Sequence, residues 1–273
     1  MTKVYDILNA GPRNRFMVRN RKGDVAVAHN CGYRLSGGDL LPDGKKTGLW
    51  AYGENMGVFM TKEEAHSSVQ AFRDLCPEIV QAWYALEKAA ERCIRTKQTQ
   101  KVIRKGVDGG DDFTMPVEFE YRKPFLCMKL PSGRRLYYFD PKIEERTLTG
   151  KDGEKYTKKQ ISYMGKPMQG NGWVRIYTHG GKLIEQLCQG MCRDFLTVGM
   201  SRVDKHGLSH EHLPWDIETV MHIHDELVNE VDIEADDEQA LAFVHRCMTA
   251  PISWAPGLPL GAAGFVGTHY RKD

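Results

Sequence analysis

The chain has 273 residues, of which 41% are apolar and 27% charged, and its formal net charge is +2. This composition is typical of a globular protein with a sizeable core, and because no run of about 18 apolar residues occurs, it predicts no membrane-spanning helix. The cysteines are odd in number and scattered, and residues 1–6 contain no apolar signal core. We therefore expect free thiols and a cytoplasmic protein.

Positive charge is concentrated at the start of the chain. Residues 1–30 carry six basic and two acidic side chains, whereas the rest of the chain is nearly balanced. The same segment predicts three short strands, too few to enclose a core of their own. We therefore expect a separate module that packs on an acidic partner. The predicted strands cover residues 4–8, 16–18 and 25–27.

Helices are predicted after a glycine-rich stretch at residues 31–60, which is predicted to be irregular. Thr61 and Glu64 form the pattern of a capping box, in which each side chain bonds the backbone N–H of the other residue. Apolar residues then recur at helical spacing, and Pro77 starts a second helix. The predicted buried positions are Ala65, Val69, Phe72, Cys76, Ile79, Trp83, Leu86 and Ala90.

The middle of the chain alternates between predicted loops and strands. Polar residues 92–114 and charged residues 151–159 are predicted to be loops. Residues 117–139 are predicted to form strands around a turn at residues 131–133.

The last third of the chain predicts a long helix, a hairpin and a shorter helix. The long helix begins at Gly180, two apolar strands at residues 220–223 and 227–231 flank a charged turn, and a helix covers residues 236–248. A loop is predicted at residues 254–259. Together these elements predict an α+β fold.

His29, Asn30 and Cys31 form a tripeptide with the groups needed to cleave and rejoin a backbone. The Asn30 amide can attack its own carbonyl and release the following chain, while the His29 imidazole protonates the leaving amide. The Cys31 thiol can accept an acyl group and, since its freed amine lies one five-membered transition state away, pass that group to nitrogen. A strand end with a half-buried thiol would have the same sequence.

Residues 1–30 resemble the C-terminal fragment of a split intein. The resemblance implies that Asn30 cyclises, that His29 assists, and that Cys31 is the first residue of the downstream protein. It also implies that Asp6 helps to coordinate acyl transfer with cleavage. The sequence departs from the family at Asn14, where a histidine is common. The similar positions are residues 4–7, 15–16 and 28–30.

The intein resemblance implies a second polypeptide. The first splice-site residue and the block that activates it are not found in this sequence, so the fragment is expected to act by trans-splicing with an N-terminal intein fragment carried on another chain. The excess of basic residues in residues 1–30 favours electrostatic capture by an acidic partner.

His224, Asp225 and Glu226 lie at the predicted turn between the two late strands. Two neighbouring carboxylates at the tip of a hairpin suit a divalent metal ion, which prefers hard oxygen ligands. A solvated, charged turn would have the same composition.

The sequence around this turn resembles the bacteriophage-type A-family DNA polymerases. Residues 221–231 are similar to motif C, and residues 32–33 to the end of motif B, although Arg34 replaces the glycine that most relatives have. Further similar segments are residues 130–137, 173–194, 254–260 and 269–272.

The polymerase resemblance implies roles for five residues. Asp225 would bind the catalytic metals and Glu226 would support them. His224 would contact the primer terminus, Gln189 the minor groove of the primer–template, and Tyr33 the nascent base pair. The resemblance also implies Mg²⁺ as the cofactor, in a two-metal site completed by an aspartate on the partner fragment, with a DNA primer–template and dNTPs as substrates.

We therefore predict a precursor in three parts. Residues 1–30 are an all-β split-intein fragment, residues 31–175 a mainly helical fingers portion, and residues 176–273 an antiparallel-sheet palm portion. Trans-splicing to an N-terminal polymerase fragment, in the cytoplasm of an infected host, would precede templated nucleotidyl transfer, and the unjoined chain would be inactive.

Two alternatives remain open. In the first, the intein is degenerate and residues 31–273 act as a noncovalently assembled polymerase subunit or a nucleic-acid-binding module. In the second, the chain is a cysteine hydrolase that uses Cys31 with His29.

Overall fold

The structure, a computed structural model, describes residues 36–41, 43–55, 57–149, 154–167, 171–204, 213–223 and 225–270, together with the backbone of residues 15–19 and 25–29. In these parts the chain forms five helices and ten strands. It divides into two compact units, the larger of which spans Met17–Cys188, while Gln189–Asp273 belong to the other. Among the described helices, none is long and apolar enough to cross a membrane.

Two short strands lie in the segment predicted to be an intein fragment. Strands β1 (Arg15–Arg19) and β2 (Val25–His29) form a two-stranded sheet, which agrees with two of the three strands predicted there. The strand predicted at residues 4–8 lies outside the described residues.

The prediction of an irregular stretch at residues 31–60 is wrong for helix α1 (Gly48–Asn55). Glycine at the start of this helix reflects a close backbone contact rather than disorder. Gly48 has φ +63°, and a Cβ there would lie 2.5 Å from the Ser36 carbonyl oxygen. Only glycine tolerates this combination of backbone angle and contact.

Helices α2 (Lys62–Leu75) and α3 (Pro77–Thr96) follow the prediction closely. The capping box is confirmed, because Thr61 N donates to Glu64 Oε2 over 2.7 Å and Glu64 N donates to Thr61 Oγ1 over 3.1 Å. All predicted core positions of the two helices are buried except Ile79, which is half-buried.

Six strands after α3 form one antiparallel sheet in which each strand pairs with the next along the chain. The turn predicted at residues 131–133 is confirmed, with Leu130 N donating to Arg134 O over 2.8 Å. The strands are β3 (Gln100–Arg104), β4 (Phe113–Arg122), β5 (Phe125–Lys129), β6 (Arg135–Thr149), β7 (Lys155–Gly165) and β8 (Val174–Thr178).

This sheet overturns three predictions. The loop predicted at residues 92–114 contains the end of α3, all of β3 and the start of β4, and the loop predicted at residues 151–159 contains the start of β7. The portion predicted to be mainly helical therefore holds most of a six-stranded sheet. Polar composition hid these strands because β3 fully buries only Val102, and Lys155 to Lys159 are all exposed on strands paired through their backbones.

The later elements match the prediction. Helix α4 (Gly180–Asp204) precedes a hairpin of β9 (Ile217–Ile223) and β10 (Glu226–Val231), and α5 (Asp237–Thr249) begins at the cap Asp236. Residues 251–270 hold no helix or strand. The described part of the chain is thus a mixture of helices and antiparallel sheets, as the α+β prediction requires. The core of the second unit contains Val203, Trp215, Ile217, Ala240, Phe243 and Cys247.

Candidate functional site

The charged turn lies at the tip of the β9–β10 hairpin. Asp225 is in the turn, and Glu226 begins β10, where it pairs with Ile223 of β9. Both acidic side chains are half-buried. The structure therefore places two neighbouring carboxylates at the end of an antiparallel ribbon, as the sequence predicts.

A β-bulge sets which face of the hairpin each side chain occupies. Thr219 pairs with Asn229 and Met221 with Val228, so β9 has one extra residue at this point. Directly paired residues share a face, and successive residues on a strand alternate between faces. The bulge therefore places His222 on the same face as the core residue Ile217, although the two are five positions apart.

Arg193 of α4 lies against this face. Its two terminal guanidinium nitrogens are each 3.4 Å from a ring nitrogen of His222. Because a neutral imidazole has one acceptor nitrogen, at most one of these two contacts is a hydrogen bond. This contact fixes the end of β9, three residues before Asp225, relative to α4.

The residue predicted to contact the minor groove lies on the same side of α4. Gln189 is exposed and precedes Arg193 by four positions, so the two side chains are neighbours on one helix face. The helix is anchored further along, where the Phe195 and Trp254 rings stack at 4.8 Å and Arg202 donates to three carbonyls at the end of α5. Gln189 is therefore presented on a fixed element.

Glu226 has a partner near the end of the chain. Tyr270 Oη donates to Glu226 Oε2 over 2.8 Å, and this bond to a carboxylate raises the pKa of Tyr270. By strand register Glu226 lies on the face opposite His222. The bond from Tyr270 orients the Glu226 carboxylate through Oε2. The other carboxylate oxygen, Oε1, is the one that could then bind a metal ion.

The two carboxylates suit a hard cation but form only part of a site. No cluster of three or more histidine, cysteine or acidic side chains with metal-site geometry occurs among the described residues. Magnesium takes six oxygen ligands and is usually held in proteins by one or two carboxylates with waters and phosphates. Asp225 and Glu226 fit that donor set, and the remaining ligands would have to come from elsewhere.

The other predicted site residues are not brought together by the described structure. His29 ends β2 but is described by its backbone alone, whereas Asp6, Asn30, Cys31, Tyr33 and His224 lie outside the described residues. The intein residues and the hydrolase pairing of Cys31 with His29 therefore remain predictions.

Sequence reasoning missed three residues that organise the hairpin: Arg193, His222 and Tyr270. Arg193 could have been found from its position four residues after Gln189. His222 could not, because simple strand alternation places it on the wrong face. The partnership of Tyr270 with Glu226 spans 44 positions and has no local sequence signal.

Comparison with known proteins gives one informative match. The DNA polymerase of Bacillus phage SP02 is 36% identical over 253 residues, which is 93% of this chain and 33% of the phage protein. The chain thus spans about a third of the length of that relative. No protein-family model and no solved structure matches the chain. In sequence, the chain is similar to part of a phage DNA polymerase.

Proposed function

We propose that residues 31–273 form a fingers and palm portion of a phage-type A-family DNA polymerase. The observation that carries this proposal is the 36% identity, over nearly the whole chain, to a phage DNA polymerase. The hairpin agrees with it, since a turn bearing two carboxylates is the arrangement expected for motif C.

In this proposal Asp225 binds the catalytic metals and Glu226 supports the same shell. Bound Mg²⁺ would neutralise charge that develops during phosphoryl transfer. The chain itself holds the two carboxylates in position, because Tyr270 fixes Glu226 and Arg193 fixes the adjoining strand. An aspartate from a partner fragment completes the two-metal site.

The proposed substrates are a DNA primer–template and dNTPs. Gln189, exposed on α4, reaches the minor groove of the duplex, where polymerases read shape rather than sequence. His224 contacts the primer terminus, and Tyr33 lines the pocket for the nascent base pair.

We further propose that residues 1–30 join this portion to an N-terminal polymerase fragment by protein trans-splicing. Three features support the proposal: the His29-Asn30-Cys31 tripeptide, the excess of basic residues, and two short paired strands that cannot form a core alone. Cleavage after Asn30 would release the intein fragment and leave Cys31 at the ligated junction.

Tryptic mass spectrometry of the protein from its native host tests the splicing proposal. Trypsin cuts after Lys22 and Arg34, so the unspliced junction gives a peptide covering residues 23–34. Splicing replaces it with a peptide that ends at residues 31–34 and carries foreign residues before Cys31. That peptide would also identify the partner. If the 23–34 peptide is the sole form, the intein is inactive.

The departure at Asn14, where the intein family commonly has a histidine, favours one alternative, in which the intein fragment is degenerate and does not splice. The chain would then assemble noncovalently with the rest of the enzyme. In paired fragments, the double change Asn30→Ala and Cys31→Ala would abolish polymerase activity if joining is required and would leave it intact in the alternative.

A further inference from the structure

Four aromatic side chains form a continuous row on one face of the six-stranded sheet. Tyr137 contacts Phe125 with ring centroids 5.7 Å apart, Phe125 contacts Phe139 at 5.5 Å, and Phe139 contacts Trp173 at 5.9 Å. Phe125 and Phe139 are directly paired across β5 and β6. Three of the four rings therefore lie on the paired strands β5 and β6, and Trp173 directly precedes β8.

The row is largely exposed. Tyr137 is 60% exposed and Trp173 is 65% exposed, and these two rings are the ends of the row. The opposite face of the same strands is buried through Leu126, Met128 and Tyr138. The sheet thus has a packed core face and a second face on which the end rings of the row, Tyr137 and Trp173, are exposed to water. An exposed apolar patch of this kind is typical of a binding surface.

Each end of the row carries an excess of positive charge. Near Tyr137, Arg122 and Arg135 both bond the Glu120 carboxylate, at 2.7 Å and 2.9 Å, and strand register places all three on the face of the row. One carboxylate shared by two guanidinium groups leaves a net positive charge.

The same arrangement recurs at the other end. The carboxylate of Asp140, which follows Phe139, accepts a hydrogen bond from Arg175 and lies 3.2 Å from Lys142 Nζ. The bond from Arg175 holds the pKa of this carboxyl below its usual value, so it stays ionised and shared. Glu144 and Arg146 lie on the same face by strand register, and Glu144 accepts from Ser162, so three cations face two carboxylates at this end. The cations are therefore in excess near Trp173 as well.

We propose that this aromatic row binds single-stranded nucleic acid. Unpaired bases stack on Tyr137 and Trp173, and the phosphates between them lie near the cations at the two ends of the row. Proteins that bind single strands combine exposed aromatic rings with positive charge in this way, whereas a duplex has no free base faces to offer. The proposed site uses none of the residues assigned to metal binding or splicing, and it needs neither polymerase activity nor splicing.

The purified 273-residue chain is titrated against a labelled oligo(dT) and against a duplex of the same length, by fluorescence anisotropy. We expect the single strand to bind more tightly than the duplex. Trp173→Ala and Tyr137→Ala should each weaken single-strand binding about tenfold or more, and Trp173→Phe should restore most of it. Tyr84→Ala removes an equally exposed ring (64%) on α3 and should change nothing.

A charge variant tests the phosphate contacts. Arg122→Gln removes one cation and leaves the hydrogen bond from Arg135 to Glu120 in place. It should reduce the slope of log affinity against log salt concentration by about 0.7 in magnitude. Lys45→Gln, on an exposed lysine outside the sheet, should leave the slope unchanged.

Two results would overturn the proposal. One is wild-type affinity in both Trp173→Ala and Tyr137→Ala, with melting temperatures unchanged. The other is the absence of single-strand binding by the wild type, which would leave the row as a surface for another protein. Asp225→Asn should keep single-strand binding, so failure of the polymerase proposal would be seen separately.

Discussion

At the scale of single residues, Thr61 decides where α2 begins. Its hydroxyl accepts the Glu64 N–H, and removing such a cap costs about 1 kcal/mol of stability. We expect Thr61→Ala to lower the free energy of unfolding by about this amount in urea denaturation followed by circular dichroism. Thr197→Ala, at an exposed interior position of α4 where the hydroxyl donates to the Arg193 carbonyl, is the matched control. An equal loss in both variants would contradict the role of the cap.

Glu120 predicts a pH dependence of stability. Hydrogen bonds from Arg135, and more weakly from Arg122, hold the pKa of this carboxyl below its usual value. A carboxyl with a depressed folded-state pKa contributes stability above the ordinary glutamate pKa of about 4.3, and that contribution is lost as the pH falls through the folded pKa. Glu120→Gln should therefore lower the melting temperature at neutral pH and have a much smaller effect in acid.

The exposed carboxylate Glu234 offers the comparison for this measurement. Glu234→Gln should leave the melting temperature unchanged at both pH values. A Glu120→Gln effect that is independent of pH would mean that the side chain contributes through packing rather than through its charge.

At the scale of elements, the start of α4 depends on its contact with α3. Gly180 is buried, its N–H donates to Glu87 Oε2 over 3.1 Å, and a Cβ there would lie 2.1 Å from the Trp83 carbonyl oxygen. Because the obstacle is backbone, a side chain cannot be accommodated by a rotamer change. We expect Gly180→Ala to destabilise the protein by about 1–3 kcal/mol, measured by urea denaturation.

A second glycine in the same helix is the control for this change. A Cβ at Gly199 would lie 3.4 Å from the nearest atoms of Met248, and alanine is the better helix former. Gly199→Ala should be neutral or slightly stabilising. If the two variants have the same stability, the close approach of α4 to α3 is not what requires glycine at position 180.

Elements with a buried stripe or a defined cap could be predicted from the sequence, and elements without them could not. The capping-box residues Thr61 and Glu64 predicted the start of α2, and the apolar runs on either side of Asp225 predicted the hairpin. The outer part of β7 has no buried face over Lys155 to Lys159, so its composition is that of a loop and only pairing with β6 makes it a strand.

In the candidate site, too, features that depend on neighbouring residues could be predicted from the sequence, whereas contacts between distant residues could not. The adjacent carboxylates Asp225 and Glu226 could be recognised because they are neighbours in sequence. The contacts that hold them depend on a bulge and on partners far along the chain, Arg193 and Tyr270. Neither the bulge nor the pairing of Tyr270 with Glu226 can be predicted from local spacing.

At the scale of the whole molecule, the proposals assign different tasks to separate parts of the chain. Residues 1–30 would join polypeptides, the sheet face would hold single strands, and the hairpin would supply half of a metal site. Since the proposed metal site is completed by an aspartate from a partner fragment, catalysis by this chain alone is not expected. Each task should therefore fail independently when its own residues are changed.

Asp225→Asn provides the sharpest test of that separation. The change keeps the size and most hydrogen-bonding capacity of the side chain but removes the charge that a divalent ion requires. Loss of a group that only supports a metal ligand typically costs 10–100-fold in activity or affinity, so we expect primer extension by the joined protein to fall by at least about 100-fold. Splicing, read by mass spectrometry, and single-strand binding should both be unchanged.

Tyr270→Phe serves as the graded comparison, because it removes a hydroxyl that bonds Glu226 and leaves both carboxylates in place. Its expected loss of primer extension is smaller than that of Asp225→Asn. Raising the Mg²⁺ concentration should recover part of that loss, because both of the proposed carboxylate ligands are still present. If joined Asp225→Asn protein extends a primer at the wild-type rate, the metal assignment is wrong while the splicing proposal stands. If splicing is lost as well, the change has disturbed folding, because the splicing proposal gives Asp225 no part in the chemistry at Asn30 and Cys31.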